Sequence, residues 1–78
     1  MIVRTLDARG LNCPLPLIRA RSELATMSAG ETLVVLATDP EAPIDLAALA
    51  ADGGHGFARE QRAGEWRITL TKGVVGTA

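Results

Sequence analysis

The hydrophobic positions of the chain change period from stretch to stretch, and each change marks a boundary between elements. In Trp66-Arg67-Ile68-Thr69-Leu70-Thr71 apolar and polar residues alternate, the period of a strand with one covered face, so Trp66, Ile68 and Leu70 are predicted to face helices. Thr32-Leu33-Val34-Val35-Leu36-Ala37 shows no polar alternation and reads as a strand flanked on most sides, at the centre of a sheet. Ile2 to Leu6 is short, partly β-branched and ends at Asp7, which predicts a further strand. Leu17, Ala20, Leu24 and Met27 recur at helical spacing with Arg19, Ser22 and Glu23 on the other side, predicting a helix of about four turns that Gly30 ends as its C′ glycine.

A second helix is predicted through the Ala/Leu run Ile44 to Ala51, with Pro43 in its first turn and Gly53-Gly54 as its stop. Two start registers fit: Asp39 as N-cap with Pro40 following, or Thr38 and Glu41 as a capping box. His55 to Arg62 reads as an edge strand, because Phe57 is its only large apolar residue, and Ala63-Gly64-Glu65 as the turn after it. The order β-α-β-α-β-β, with two right-handed crossovers, puts both helices on one face of the sheet. The predicted fold is an α/β (α+β) two-layer sandwich whose mixed four-stranded sheet has the order 1-2-4-3. Residues 1–72 form a single domain in this reading, and 73–78 a flexible tail.

Composition narrows the function classes. The 78 residues are near the lower limit for a domain held by its core alone, and one cysteine with one histidine supplies neither an intramolecular disulfide nor a four-ligand zinc site. The predicted complement is no metal and no cofactor. A net charge of −1 and only Phe57 and Trp66 as aromatics give no bulk attraction to nucleic acid or to an anionic membrane. Met1-Ile2-Val3-Arg4 leads into no signal-peptide stretch and no segment approaches a membrane span, which with a free cysteine predicts a cytoplasmic protein. Charge is uneven: Arg4, Arg9, Arg19 and Arg21 stand against Asp7 in the first part, whereas Asp39 to Asp52 holds acids and no base. The end of the fold that carries the first helix is therefore predicted to be basic.

That helix is preceded by Gly10-Leu11-Asn12-Cys13-Pro14-Leu15-Pro16-Leu17, which sets the one cysteine beside two prolines at a helix start. From composition alone a lone cysteine reads as a small buried hydrophobe; its place before Pro-x-Pro points instead to a working thiol. With Pro14 as first helical residue, Leu15 and Leu17 would offer their N–H groups to a sulfur anion. The helix dipole and Arg9 would then favour thiolate, lowering the thiol from about 8.5 into the range of roughly 3.5–7.5. A dithiol oxidoreductase would want Cys-x-x-Cys, and Pro16 occupies that second place. Hydrolysis would need a base beside Cys13; His55 is the one candidate histidine, and its place after Gly-Gly favours a structural or surface role. Asp39 and Asp45 read chiefly as residues that cap and solvate the second helix, with Asp45 also a candidate to meet the site.

Asp7-Ala8-Arg9-Gly10-Leu11-x-Cys13-Pro14-x-Pro16, together with Ala37-Thr38-Asp39-Pro40, Asp45 and Gly54-His55, resembles the TusA/SirA-like small sulfur-carrier family over roughly Leu6 to Lys72. The resemblance implies a two-layer sandwich and a sulfurtransferase role in which Cys13 receives a sulfane sulfur as a persulfide and passes it to a partner. Around Cys13, the residues expected to shape the site are Arg9, Gly10, Asn12, Pro14, Leu15, Pro16, Leu17 and Asp45. The implied partners are a cysteine desulfurase or rhodanese-like donor and a downstream acceptor protein, serving tRNA thiolation, cofactor sulfuration or sulfur oxidation. The chain departs from the family pattern at Ile44, just before Asp45, where many members carry a basic residue, so a different substrate or partner preference is expected, and at Leu15, where some carry an acid, so the lip of the site is more apolar. The alternative is a regulatory or protein-binding module in which Cys13 is dispensable.

Overall fold

In the computed structural model, which describes residues 2–73, the elements are β1 (Val3–Ala8), α1 (Leu15–Ala25), β2 (Thr32–Ala37), α2 (Ala42–Gly53), β3 (Gly56–Arg62) and β4 (Glu65–Thr71). The sheet has the order β1-β2-β4-β3, as the crossover argument predicts. β1 and β2 run parallel, while β4 is antiparallel to both β2 and β3. α1 packs on β1 and β2, α2 on β3 and β4, and the helices on each other, so both lie on one face.

Register explains where the core sits. Leu33 pairs with Leu70 and Val35 with Ile68. These four side chains are fully buried with Ala37, beneath Ala20 and Leu24 of α1 and Leu46 and Ala50 of α2. Trp66 is half-buried and packs against this cluster, completing the alternation read from β4. Val34 points to the other face and is still only 5% exposed, flanked by its partners Thr5 and Thr69, which is why β2 carries no polar alternation. β3 is exposed along its whole length, and Arg59, Glu60 and Arg62 guard it as an edge.

Several boundaries differ from the sequence expectation. β1 reaches Ala8 because pairing with β2 continues to Ala8 opposite Ala37. α1 stops at Ala25, well short of Gly30: the Thr26 N–H donates to the Glu23 carbonyl and the Met27 N–H to the Leu24 carbonyl, 3.1 Å each, and the Thr26 hydroxyl donates to the Glu23 carbonyl at 2.9 Å. A threonine that bonds its own backbone in this way competes with further helix. Gly30, at φ +89°, belongs to a later turn, where its N–H donates to the Lys72 carbonyl. At α2 neither start register holds: Glu41 is the N-cap, without a side-chain cap bond, and Pro43 stands in the first turn. Gly54 closes α2 in the left-handed region at φ +70°, as the Gly-Gly stop predicts. The expected tail lies outside the described residues beyond Gly73, and Gly73 itself donates its N–H to Nδ1 of His55 at 2.9 Å.

The β3–β4 hairpin turns on two residues, because Arg62 pairs directly with Glu65. Ala63 and Gly64 both have positive φ, 52° and 78°, the geometry of a turn that favours Asn-Gly. Ala63 has a Cβ in a region that disfavours it. Ala63→Asn is therefore expected to raise stability by up to about 1 kcal/mol. Urea denaturation reads this as a higher midpoint, and a lower one would show that the turn does not strain the alanine.

Candidate functional site

The site lies where the loops that leave β1 and β2 meet, beyond the carboxyl ends of two parallel strands. After Ala8 the chain folds back, the Leu11 N–H donating to the Ala8 carbonyl at 3.2 Å around Gly10 at φ +81°. That conformation suits glycine, and it aims the Gly10 N–H at the Thr38 hydroxyl, 3.0 Å away, so that the two loops are tied together. Asn12 then accepts the Leu15 N–H at 2.9 Å, and Pro14 accepts the Ile18 N–H at 3.0 Å. Pro14 is the N-cap of α1, joined to Cys13 by a cis peptide bond, and Pro16 is buried within the first turn.

Cys13 emerges from this loop exposed to solvent. Its N–H donates to Oδ2 of Asp39 at 2.7 Å, and its thiol donates to Oδ2 of Asp45 at 2.9 Å. The second oxygen of Asp39 takes the Glu41 N–H at 2.8 Å, and these two N–H bonds hold the Asp39 carboxyl below its ordinary value. The Cys13 thiol moves the other way. The hydrogen bond to Asp45, partial desolvation and the negative charges of Asp45, Asp39 and Glu41 push it up to about 11.

This reverses the expected basic, thiolate-favouring site. Arg9 does not reach the sulfur: its Nε and Nη2 grip the Asp7 carboxylate at 2.9 Å each, and Nη1 stands 3.6 Å from Glu65. That grip lowers the Asp7 carboxyl to about 2. Of the two helix donors expected to meet a sulfur anion, Leu15 and Leu17, the Leu15 N–H is already bonded to the Asn12 carbonyl, and the sulfur is engaged by Asp45. The entry to α2 brings carboxylates to the thiol instead. Counting charges along the first part of the chain missed this, because the groups that face Cys13 come from residues 39–45.

Of the other expected site residues, Gly10, Asn12, Pro14 and Pro16 build the loop and helix start. Leu17 is half-buried against the core, and Asp45 meets the thiol. Leu15 is 43% exposed, and with Ile18 at 48% and Ile44 at 59% it gives the helix starts an apolar surface. Nothing in the sequence pattern marks Ile18, and the capping role that composition gives Asp39 does not include its bond to Cys13; the Ala37-Thr38-Asp39-Pro40 pattern is the signal that points to it. His55 follows the far end of α2, a 12-residue helix about 18 Å long, and is bonded to Gly73. Burial and the charge of Lys72 push its pKa below the ordinary value. It is not placed to serve Cys13 as a base, which removes the cysteine hydrolase arrangement. No described helix is long and apolar enough to cross a membrane.

Comparison with known proteins identifies the family and the fold. A family model described as sulfurtransferase TusA matches residues 4–72. A putative sulfur carrier protein of Neisseria meningitidis is 53% identical over 51 residues, covering 65% of this chain and 69% of that protein. The sulfur carrier protein TusA of Allochromatium vinosum is 52% identical over 50 residues, covering 64% of this chain and 66% of that protein. The crystal structure of a SirA-like protein from Desulfitobacterium hafniense superposes with a TM-score of 0.81 at 31% identity, covering 94% of this chain and 100% of that one.

Proposed function

Because the chain belongs to the TusA sulfurtransferase family, we propose that it is a sulfur carrier whose Cys13 accepts a sulfane sulfur as a persulfide and delivers it to a partner protein. The observation that carries this reading is the exposed thiol of the chain's one cysteine, set at the edge of the fold on a loop tied to both parallel strands. A persulfide formed there meets no second thiol of its own chain and so waits for another protein. In the accepting step the Cys13 sulfur attacks the terminal sulfur of a donor persulfide. A new S–S bond forms, the donor's S–S bond breaks, and the proton lost from Cys13 ends on the donor thiol. Gly10, Asn12, Pro14 and Pro16 hold the loop, Asp45 meets the sulfur, and Leu15 and Leu17 contribute to the apolar lip. Arg9 acts on Asp7 and Glu65 and has no part in this scheme.

The donors that fit are a cysteine desulfurase or a rhodanese-like protein, and the acceptors belong to tRNA thiolation, cofactor sulfuration or sulfur oxidation. A free thiol suits a reducing cytoplasm. A relay assay tests the reading: a desulfurase is supplied with radiolabelled cysteine, the labelled chain is isolated, and its label is followed onto an acceptor protein. Cys13→Ser is expected to reduce relay to background. Relay that survives Cys13→Ser would leave a protein-binding module in its place.

A further inference from the structure

The groups around the thiol bear on how a carrier keeps its sulfur, an inference that rests on the carrier reading above. Asp45 presents Oδ2 at 2.9 Å from Cys13 Sγ. Asp39 fixes that meeting, since one of its oxygens holds the Cys13 N–H at 2.7 Å and the other the Glu41 N–H at 2.8 Å, joining the start of α1 to the start of α2. Among the described residues no cation forms an ion pair with Asp39, Glu41 or Asp45. Arg4 pairs with Glu23, Arg9 with Asp7 and Glu65, and Arg62 and Arg67 with Glu60. Arg21 lines the groove between the helices with Asp45 and Asp52, yet it too makes no ion pair there.

We infer that Asp45, positioned by the Asp39 tie, makes the carrier retentive: its carboxylate opposes the departure of Cys13 as a thiolate, so bound sulfur stays on the protein until an acceptor docks. In the release step an acceptor thiolate attacks the terminal sulfur of Cys13–S–S–H. The persulfide bond breaks, its electron pair goes to Sγ, and the acceptor leaves with the sulfur and its hydrogen. Sγ then takes a proton from water and donates again to Asp45. The sulfane sulfur only changes partner, so no outside oxidant or reductant is involved. A thiol leaves faster the lower its pKa, and a carboxylate beside Sγ raises the energy of the negative charge that develops there. A free thiol such as glutathione, with two carboxylates against one ammonium, brings no net positive charge to offset that carboxylate, whereas a docked protein changes the surroundings of Asp45. The same arrangement keeps the unloaded sulfur as thiol and slow to oxidise.

The test loads the protein with inorganic polysulfide, removes the excess, and follows the persulfide by mass in glutathione. Alkylation of the unloaded protein is measured at pH 8, and circular dichroism checks the fold of each variant. Asp45→Asn keeps the size and a hydrogen-bond acceptor but removes the charge. It is expected to raise the alkylation rate several-fold, because the larger thiolate fraction outweighs the lower nucleophilicity of a less basic thiolate, and to speed stripping by glutathione several-fold. Asp39→Ala should move both rates the same way by a smaller factor. Ile44→Arg, at an exposed position next to Asp45 in the chain, supplies a cation to offset that carboxylate and should also speed stripping. Stripping at the wild-type rate in both Asp45→Asn and Ile44→Arg would overturn retention by Asp45. A wild-type protein that loads from polysulfide but from no protein donor would instead overturn the carrier reading. Failure to load from polysulfide would overturn both.

Discussion

Ile68→Ala is expected to destabilise the protein by about 2–5 kcal/mol, the cost of removing buried methyl and methylene groups and leaving a cavity. Ile68 is 0% exposed on the helix-facing side of β4, opposite Val35 of β2, in the middle of the cluster that both helices cover. Its neighbours are held in register by strands on both sides of β4, so the hole collapses only in part. With no disulfide to support a domain of 78 residues, total stability is of the order of 4–12 kcal/mol, and this one change removes a large share of it. Urea denaturation measures the loss directly. Phe57→Ala serves as the comparison: Phe57 is 37% exposed on the edge strand, and its removal should cost far less. Equal losses at the two positions would place the core elsewhere.

The second large effect concerns the thiol. With Cys13 pushed up to about 11, its thiolate population at neutral pH is on the order of 100-fold below that of an unperturbed cysteine. The rate of alkylation by iodoacetamide should therefore rise about tenfold per pH unit through pH 8 to 10 and level only near 11. The sign follows from the charges. Carboxylates beside the sulfur favour the neutral form, so ionisation is delayed to higher pH, and the curve moves to the alkaline side. A rate that levels below pH 8 would mean that the helix start and its donors govern the thiol after all.

Much of the fold was legible because it is carried by local periodicity. The alternation of Trp66, Ile68 and Leu70 and the unbroken run Thr32–Ala37 identify two adjacent strands, and the order of elements leaves few ways to arrange the rest. The helix ends were less legible. Thr26 stops α1 through bonds of its own backbone and hydroxyl, whereas the apolar spacing continues to Met27, which is buried beyond the helix. At α2, Asp39 has the composition of a cap, but one of its oxygens serves Cys13, 26 residues earlier in the chain, and the other serves Glu41.

The site was legible in part for the same reason. Gly10, Cys13, Pro14 and Pro16 form a local pattern, and the structure shows them building one loop and helix start. The electrostatics of that loop depend on which segment folds against it. Arg9 is near Cys13 in sequence but turns back to Asp7, while Asp45 is distant in sequence and reaches Sγ. A charge count along the chain contains neither fact.

Intact-mass analysis of the protein, after incubation with a cysteine desulfurase and cysteine or with a rhodanese and thiosulfate, tests the assignment of Cys13 most directly. The expected result is a gain of one sulfur atom that reducing agent removes and that Cys13→Ser never shows. No gain with either donor, or an equal gain in Cys13→Ser, would contradict it.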